Sequence, residues 1–207
     1  SSTRAEIKLL EEKEIQGPAA ARNRGIKQAK GELLVFIDAD MWVKPDFLQK
    51  QVEAADKYNQ GYLYMGNNVQ VVMKGRSLAE KYDYVNAFPI KKYYQEKHMF
   101  PTCCLTVNKK LIEKVGEFKN NLDMADDWEF GDRVYTAGIK QFFNENITMY
   151  HPARSSFKEL FKKSLRVGRG LYQIKKDQNN CQLDTSSKKI LPENPLKFRK
   201  KIKKKLA

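Results

Sequence analysis

Two aspartates stand directly after the longest uninterrupted apolar stretch of the chain, residues 33–37. Because side chains alternate along an extended chain, Asp38 and Asp40 are expected to point to the same side. Ligands of open α/β sheets bind beyond the carboxyl ends of the strands, which is where this pair is expected. Two carboxylates there favour a site for a hard divalent cation, Mn²⁺ or Mg²⁺. The alternative is that one aspartate only caps the following turn.

A second acidic pair, Asp126 and Asp127, precedes Trp128 at the start of a predicted helix. Carboxylates are favoured at this position by the helix dipole and by free amide groups, so capping is one interpretation. A single carboxylate is enough for capping, however, and two adjacent acids repel each other. The spare carboxylate is therefore a candidate general base, a group that takes a proton from a reacting hydroxyl.

His151 is one of two histidines in the chain and stands at the end of a predicted strand. Imidazole is a suitable ligand for Mn²⁺ beside carboxylates, which makes His151 a candidate metal ligand. A structural role is the alternative. The other histidine, His98, has no comparable context, and we assign it no role.

Strands and helices alternate along the chain, which predicts an α/β sheet flanked by helices. Helices are predicted over residues 4–15, 19–30, 45–58, after a capping box at 77–80, and over 109–115, 126–137 and 156–175. Strands are predicted over residues 33–37, 62–73, 102–107, 140–143 and 147–150. The continuous apolar run at 33–37 is typical of a strand that is covered on both faces.

Charge is distributed unevenly along the 207 residues. Residues 1–153 carry 22 Lys and Arg against 21 Asp and Glu, whereas residues 154–207 carry 17 against 4. This asymmetry predicts a nearly neutral body with a cationic C-terminal appendage. No stretch reaches the roughly 20 apolar residues that span a bilayer. The three cysteines form no disulfide framework, which fits a reducing compartment and predicts a cytoplasmic location.

The cationic end contains two apolar patterns of helical spacing. In the Lys-rich tail, Phe198, Ile202 and Leu206 recur every four residues among seven Lys and Arg. A narrow apolar stripe in a cationic surround predicts a helix that lies in the surface of an anionic membrane, and a solvated tail is the alternative. A second helix, over residues 155–172, is predicted to pack on the domain. Its expected apolar face consists of Phe157, Leu160, Phe161 and Leu165.

Four motifs in order resemble glycosyltransferase family 2, whose members have the GT-A fold. The motifs lie at residues 17–40, 106–118, 125–133 and 150–170. The resemblance runs from residue 1 to about residue 172. It implies an inverting, metal-dependent transfer of a sugar from a nucleotide-diphosphate sugar to a hydroxyl of a glycan or of a lipid-linked acceptor. It also implies a GT-A-type fold with a mostly parallel sheet and a basic helical C-terminal extension.

The resemblance also implies roles for single residues. Asp40 and His151 would hold Mn²⁺ or Mg²⁺, while Asp38 and Arg22 would contact the nucleotide sugar. Three further residues would act on the acceptor. Asp127 would be the base, and Asp126 and Trp128 would form part of the acceptor surface. Asp126 stands where the family more often has Glu.

Members of this family usually begin with two strands that help to bind the nucleotide base, and the chain is expected to start just after them. We therefore expect a partial GT-A domain at 1–153, an amphipathic helix closing it at 154–176, and a linker with a Lys-rich tail at 177–207. Three alternatives stay open. They are a nucleotidyltransferase with a similar sheet, a truncated inactive chain that only binds a partner, and a nucleic-acid-binding protein. The last lacks a zinc-finger or aromatic RNA-binding motif in residues 154–207.

Overall fold

The computed structural model describes residues 6–58, 60–122 and 125–180, with side chains as far as Lys176. Four strands form one sheet in the order β1-β3-β2-β4. They are β1 Leu33–Val35, β2 Tyr64–Val72, β3 Leu105–Asn108 and β4 Gln141–Pro152. Strands β1, β2 and β4 run in one direction, and β3 runs antiparallel to both of its neighbours. The predicted α/β class is confirmed. Three of the four strands run in the same direction, but two of the three strand pairings are antiparallel, so the sheet is mixed rather than mostly parallel as expected.

Helices flank this sheet throughout the described part of the chain. They are α1 Pro18–Gln28, α2 Phe47–Tyr58, α3 Leu78–Asn86, α4 Ile90–Lys97, α5 Lys109–Val115, α6 Asp126–Thr136 and α7 Phe157–Asn180. None of these described helices combines the length and apolar character that crossing a membrane requires. Residues 188–207, for which a membrane-surface helix is predicted, lie outside the described residues.

Local capping chemistry sets several of these helix boundaries. The Ser77 hydroxyl accepts from the Glu80 amide at 3.1 Å, and the Glu80 carboxylate accepts from the Ser77 amide at 3.0 Å. This reciprocal pair is the predicted capping box at the start of α3. Asn108 caps α5 by accepting from the Leu111 amide at 3.0 Å. Gly116 ends α5 with a φ of 85°, a conformation that glycine adopts without strain.

The core lies on the two central strands. All four residues of β3 are buried, as are the first four of β2, so side chains on both faces of the sheet are covered. The Tyr64 hydroxyl accepts from the Phe100 amide at 3.1 Å, and the two rings lie 5.4 Å apart. A β-carbon on Gly66 would overlap the Phe100 ring, so glycine is needed there for close packing. The strand changes register one residue later, between Asn67 and Asn68, which accounts for the bend predicted near Gly66.

Some predicted elements are wrong. The described part of the predicted helix 4–15, residues 6–15, forms no helix, and Ile7 is 94% exposed. Short helices are marginal without an apolar face to bury, which explains the failure. Helix α4 was not predicted, and it begins directly after Pro89. The two short strands expected at 140–143 and 147–150 are one continuous strand, β4.

Helix α7 is present where it was predicted, but its expected apolar face is divided. Leu160 is only 8% exposed, whereas Phe157, Phe161 and Leu165 are 62, 64 and 47% exposed. The side of α7 that packs on the domain is rotated around the helix axis from the predicted face by about the angle between two consecutive residues. Sequence spacing identifies which residues share a side of a helix, and it does not state on which side the neighbouring domain lies.

Candidate active site

The segment after β1 is held against the end of β4. Trp42 and Tyr150 exchange two backbone hydrogen bonds of 3.0 and 2.9 Å, and their rings stack with centroids 5.9 Å apart. Asp40 lies two residues before Trp42, and His151 directly follows Tyr150. This pairing brings Asp40 Oδ2 and His151 Nε2 to within 3.5 Å of each other. The structure therefore brings together two of the residues that the sequence assigned to one metal site.

A second contact orients the His151 ring. Its Nδ1 lies 2.6 Å from the carbonyl oxygen of Pro152. Because a carbonyl oxygen can only accept, the hydrogen of the neutral ring belongs on Nδ1. The lone pair of Nε2 then faces Asp40, which is the arrangement in which a backbone carbonyl prepares a histidine for metal binding. The His151 side chain is almost fully buried, which further restricts its motion.

The donor atoms present fit a divalent cation shared with a substrate. One carboxylate oxygen and one imidazole nitrogen are suitable ligands for Mn²⁺. The Asp40 side chain is 61% exposed, so an ion beside it would remain open to a phosphate. Among the described residues, no group of three His, Cys, Asp or Glu side chains is arranged to hold a metal. Ions of this kind often bind through one or two protein ligands plus substrate phosphates and water.

Asp38 lies on the same segment, two residues before Asp40. Partial loss of surrounding water raises the pKa of the Asp38 carboxyl, Arg22 acts in the opposite direction, and the nearby charge of Asp40 adds to the rise. The side chain remains accessible at the surface. Asp38 is thus available to a ligand that approaches this edge of the sheet.

Arg22 and Asp126 form an ion pair that joins two helices distant in sequence. Arg22 Nη1 of α1 lies 2.5 Å from Asp126 Oδ2 of α6, and the two side chains are 21 and 6% exposed. The neighbouring Asn23 fastens α1, because its side chain makes two hydrogen bonds with the backbone of Phe118, at 2.7 and 3.0 Å. The Phe118 ring in turn packs against Phe130 of α6, with centroids 4.4 Å apart. The predicted contacts, of Arg22 with the nucleotide sugar and of Asp126 with the acceptor, stay predictions.

The first turn of α6 presents Asp127. The residue that caps the helix is Ala125, at a φ of 70° and without a side-chain cap, so neither aspartate is the N-cap. The half-buried Asp127 carboxylate accepts from the Trp128 amide at 2.9 Å. Burial and, to a smaller extent, the adjacent charge of Asp126 raise the pKa of Asp127 to about 7, against the opposing effect of Arg22. A carboxyl with a pKa near the working pH is suited to act as a general base.

Asp38 and Asp127, one from each acidic pair, lie within electrostatic range of the same two groups. Arg22 acts electrostatically on Asp38 and on Asp127. The buried thiol of Cys103 is affected by the same two carboxylates. Residues predicted from separate motifs are thus gathered around one arginine and one buried thiol.

The outer side of α6 carries Trp128. Its half-buried ring lies 5.6 Å below the ammonium group of Lys97, a cation–π contact. Helix α6 approaches the loop after α4 closely, because a β-carbon on Gly131 would lie 2.9 Å from the His98 carbonyl oxygen. Gln141 secures this approach by donating to the carbonyls of His98 and Gly131, at 2.8 and 3.2 Å. These contacts hold Asp127 and Trp128 at one edge of the site.

Sequence reasoning missed a group of residues behind His151. Phe88 has a φ of 52°, an uncommon conformation for a bulky residue, and its ring lies 4.8 Å from the His151 ring. The Lys163 ammonium of α7 lies 5.2 Å from the same Phe88 ring. Burial lowers the pKa of Lys163, and the charge of Arg154 lowers it further. Arg154 is itself paired with the buried Asp83 at 3.1 Å. No sequence signal singles out Lys163 among the basic residues of α7.

Comparison with known proteins identifies the family. Residues 3–116 match the sequence profile described as Glycosyl transferase family 2. The chain belongs to glycosyl transferase family 2. Glycosyltransferase AglE of Haloferax volcanii is 34% identical over 169 residues, covering 81% of this chain and 55% of AglE. Succinoglycan biosynthesis protein ExoO of Rhizobium meliloti is 37% identical over 73 residues, covering 35% of this chain and 20% of ExoO. The chain thus spans about half the length of AglE.

A solved structure supports the fold assignment. The mannosyltransferase PcManGT from Pyrobaculum calidifontis, in complex with GDP-Man and Mn²⁺, superposes with a TM-score of 0.58. Its sequence is 18% identical, and the alignment covers 96% of this chain and 51% of PcManGT. This likeness shows a shared GT-A fold. The family resemblance read from the sequence motifs is confirmed, and the chain is assigned to a family of transferase enzymes.

Proposed function

We propose that the chain transfers a sugar from a nucleotide-diphosphate sugar to a hydroxyl of an acceptor, with inversion at the anomeric carbon. One observation carries the proposal: Asp40 Oδ2 and His151 Nε2 lie 3.5 Å apart. Asp38 of the same segment and Asp127 both act electrostatically on the buried thiol of Cys103. Membership of glycosyl transferase family 2 supplies the reaction class. The same membership argues against the nucleotidyltransferase and the nucleic-acid-binding alternatives.

Asp40 and His151 would hold Mn²⁺ or Mg²⁺ together with the diphosphate of the donor. A divalent cation bound there supplies positive charge that stabilises the leaving diphosphate. The carbonyl of Pro152 keeps the His151 ring in the orientation that directs Nε2 outward. Asp38, on the same segment, would contact the ribose or the water around the ion. PcManGT, which shares the fold, was solved with GDP-Man and Mn²⁺, so these are suitable first probes.

Asp127 would accept the proton of the acceptor. As the acceptor oxygen forms its bond to the anomeric carbon, the bond to the diphosphate breaks and the proton moves to the Asp127 carboxylate. With a pKa of about 7, a large share of the Asp127 carboxyl is ionised near neutral pH and ready to accept. Attack from the side opposite the leaving diphosphate inverts the configuration at this carbon.

The remaining site residues would orient these groups. Arg22 holds Asp126 and moderates the charge around Asp127. Trp128 offers an aromatic face beside Asp127, which is suited to pack against an acceptor sugar. Lys163 and Arg154 lie behind His151, where Lys163 contacts the Phe88 ring and Arg154 is paired with Asp83.

The acceptor is proposed to be a glycan or a lipid-linked molecule, and the protein is proposed to be cytoplasmic with peripheral contact to a membrane. The contribution of the Lys-rich tail at 188–207 stays a prediction, because these residues lie outside the described part of the chain.

Donor binding tests the proposal most directly. Thermal-shift measurements with a panel of nucleotide sugars, with and without Mn²⁺, should identify a donor that stabilises the protein only when the ion is present. Calorimetric titration should then show that Asp40→Ala loses the Mn²⁺-dependent binding. Asp56→Ala, an exposed position on α2, is the matched control and should bind as the wild type does. Equal binding by Asp40→Ala would remove the metal site from the proposal. Donor binding without sugar transfer would instead favour an inactive binding module.

A further inference from the structure

Helix α7 has one face that packs on the domain. The residues of this inner face are buried or half-buried and recur at helical spacing: Leu160, Lys163, Val167, Gly170, Leu171 and Ile174. Lys163 belongs to it through its contact with Phe88. The inner face accounts for the position of α7, and most of the other described side chains of the helix are exposed.

A second face of α7 is apolar and exposed. Phe157, Phe161, Leu165 and Tyr172 are 62, 64, 47 and 69% exposed. Their spacing of four, four and seven residues places them in one stripe along the helix. Single exposed apolar residues are common on protein surfaces, but a contiguous stripe marks a surface that meets an apolar phase or a partner.

A third face, on the far side of this stripe from the inner face, is cationic. It consists of Lys158, Lys162, Arg166, Arg169 and Lys176, all exposed. Between residues 157 and 176 the helix carries seven Lys and Arg, and its single acidic residue is Glu159. Among the described side chains, none of the five cations on this face has a carboxylate partner within ion-pair distance. The apolar stripe therefore lies between a packed face and a strongly basic face.

We propose that this exposed surface of α7, the stripe with its basic flank, binds an anionic lipid membrane with the helix lying in the membrane surface. A helix with an apolar stripe and a Lys- and Arg-rich polar face is the pattern of such interfacial helices. Charge complementarity selects the occupant. A second copy of this surface, or the Lys-rich segment at 188–207, would bring like charges together, whereas an anionic lipid surface pairs every one of them.

The position of α7 connects this surface with the site. The helix follows β4 closely after His151, and Lys163 on its inner face contacts the Phe88 ring that packs on His151. A membrane bound along the outer side of α7 would lie beside the site and suit an acceptor carried by a lipid. This consequence rests on the proposed function, while the lipid binding itself does not.

Vesicle co-sedimentation of the full 207-residue chain tests the surface. Vesicles of phosphatidylcholine containing phosphatidylglycerol should bind the chain, and vesicles of phosphatidylcholine alone should bind it weakly. The double variant Phe161→Ser, Leu165→Ser should weaken binding to anionic vesicles about tenfold or more, because two apolar contacts with the lipid are lost. The control is Leu48→Ser, Val52→Ser, two exposed apolar residues at the same spacing on α2. It should bind as the wild type does.

A charge-reversal pair completes the design. Lys162→Glu, Arg166→Glu should weaken binding about tenfold or more, since each basic residue near an anionic surface contributes about a fivefold gain. Lys110→Glu, Lys114→Glu on α5 makes the same change in net charge at other exposed positions and should have a much smaller effect.

Circular dichroism establishes that the variants are folded. If both α7 variants bind like the wild type, another segment holds the membrane and the proposal is wrong. It is equally wrong if gel filtration shows that the stripe variants convert a dimer to a monomer while no form binds lipid.

Discussion

Two pairs of aspartates lie at one site and are held in opposite ways. Asp40 extends from the segment after β1 with a 61% exposed side chain, beside His151. Asp127 is half-buried in the first turn of α6, next to Asp126, which is closed off by Arg22. The same side-chain chemistry is therefore placed in contact with water in one pair and away from it in the other. The first pair is open to a cation from solution, whereas burial favours the protonated form of Asp127.

The largest expected effect is a loss of turnover on substitution of Asp127, with donor binding retained. Asp127→Asn keeps the shape of the side chain but removes the base, so turnover with saturating donor and acceptor should fall by about 10² or more. Donor binding measured by calorimetry should persist, because Asp127 is not among the groups assigned to the donor. The control is Asp132→Asn, an exposed position on the same helix, which should retain its turnover. Wild-type turnover in Asp127→Asn would show that another group is the base.

The second effect concerns the exposed pair. His151→Gln removes the imidazole beside Asp40, so we expect Mn²⁺-dependent nucleotide binding to weaken about tenfold or more, the scale of losses at metal sites. The control is His98→Gln, at the only other histidine, whose ring stacks on Tyr135 with centroids 3.8 Å apart. Titration of Mn²⁺ at constant nucleoside diphosphate gives the affinity. Equal losses in both variants would point to a general structural effect rather than to a metal ligand.

Much of this comparison could be predicted before the structure. The apolar strand ahead of Asp38 and Asp40, the helix that begins at Asp126, and the strand that ends near His151 all follow from local patterns. Each depends on residues close together in the chain, and local spacing reports such features well. The approach of the two strand ends, near Asp40 and His151, follows from the rule that strand ends meet at one edge of a sheet.

What could not be predicted depends on contacts between distant residues. The pairing of Arg22 with Asp126 joins positions 104 residues apart, and no local pattern specifies it. The left-handed conformation of Phe88 results from packing against His151 and Lys163. The division of the α7 face has the same origin, because the side on which the domain lies decides which apolar residues are covered.

A smaller effect tests how Arg22 controls the buried pair. The Arg22 guanidinium lowers the pKa of both Asp126 and Asp127, so Arg22→Gln should let the pair hold its protons to higher pH. The acidic limb of the pH–rate profile should move upward, with turnover reduced a few fold at neutral pH and recovered at alkaline pH. Arg24→Gln, which removes a more exposed arginine of the same helix, should leave the limb in place. A uniform loss at every pH would indicate a role in binding rather than in tuning the base.

The smallest expected effect is on stability, and it has a definite sign. The folded-state pKa of Asp127, about 7, is higher than the ordinary value of 3.8 that the unfolded chain retains. Between these two values the folded state binds more protons than the unfolded state, so stability should fall as pH rises through this window and then level off. Each pKa unit corresponds to about 1.4 kcal/mol, and the true loss is smaller wherever water reaches the carboxylate.

Asparagine carries no charge to bury. Asp127→Asn should therefore unfold like the wild type near pH 4 and be the more stable protein at pH 8, by about 1 kcal/mol or more. Urea unfolding at several pH values measures the variant and the wild type, and parallel curves for the two would contradict the buried placement of Asp127.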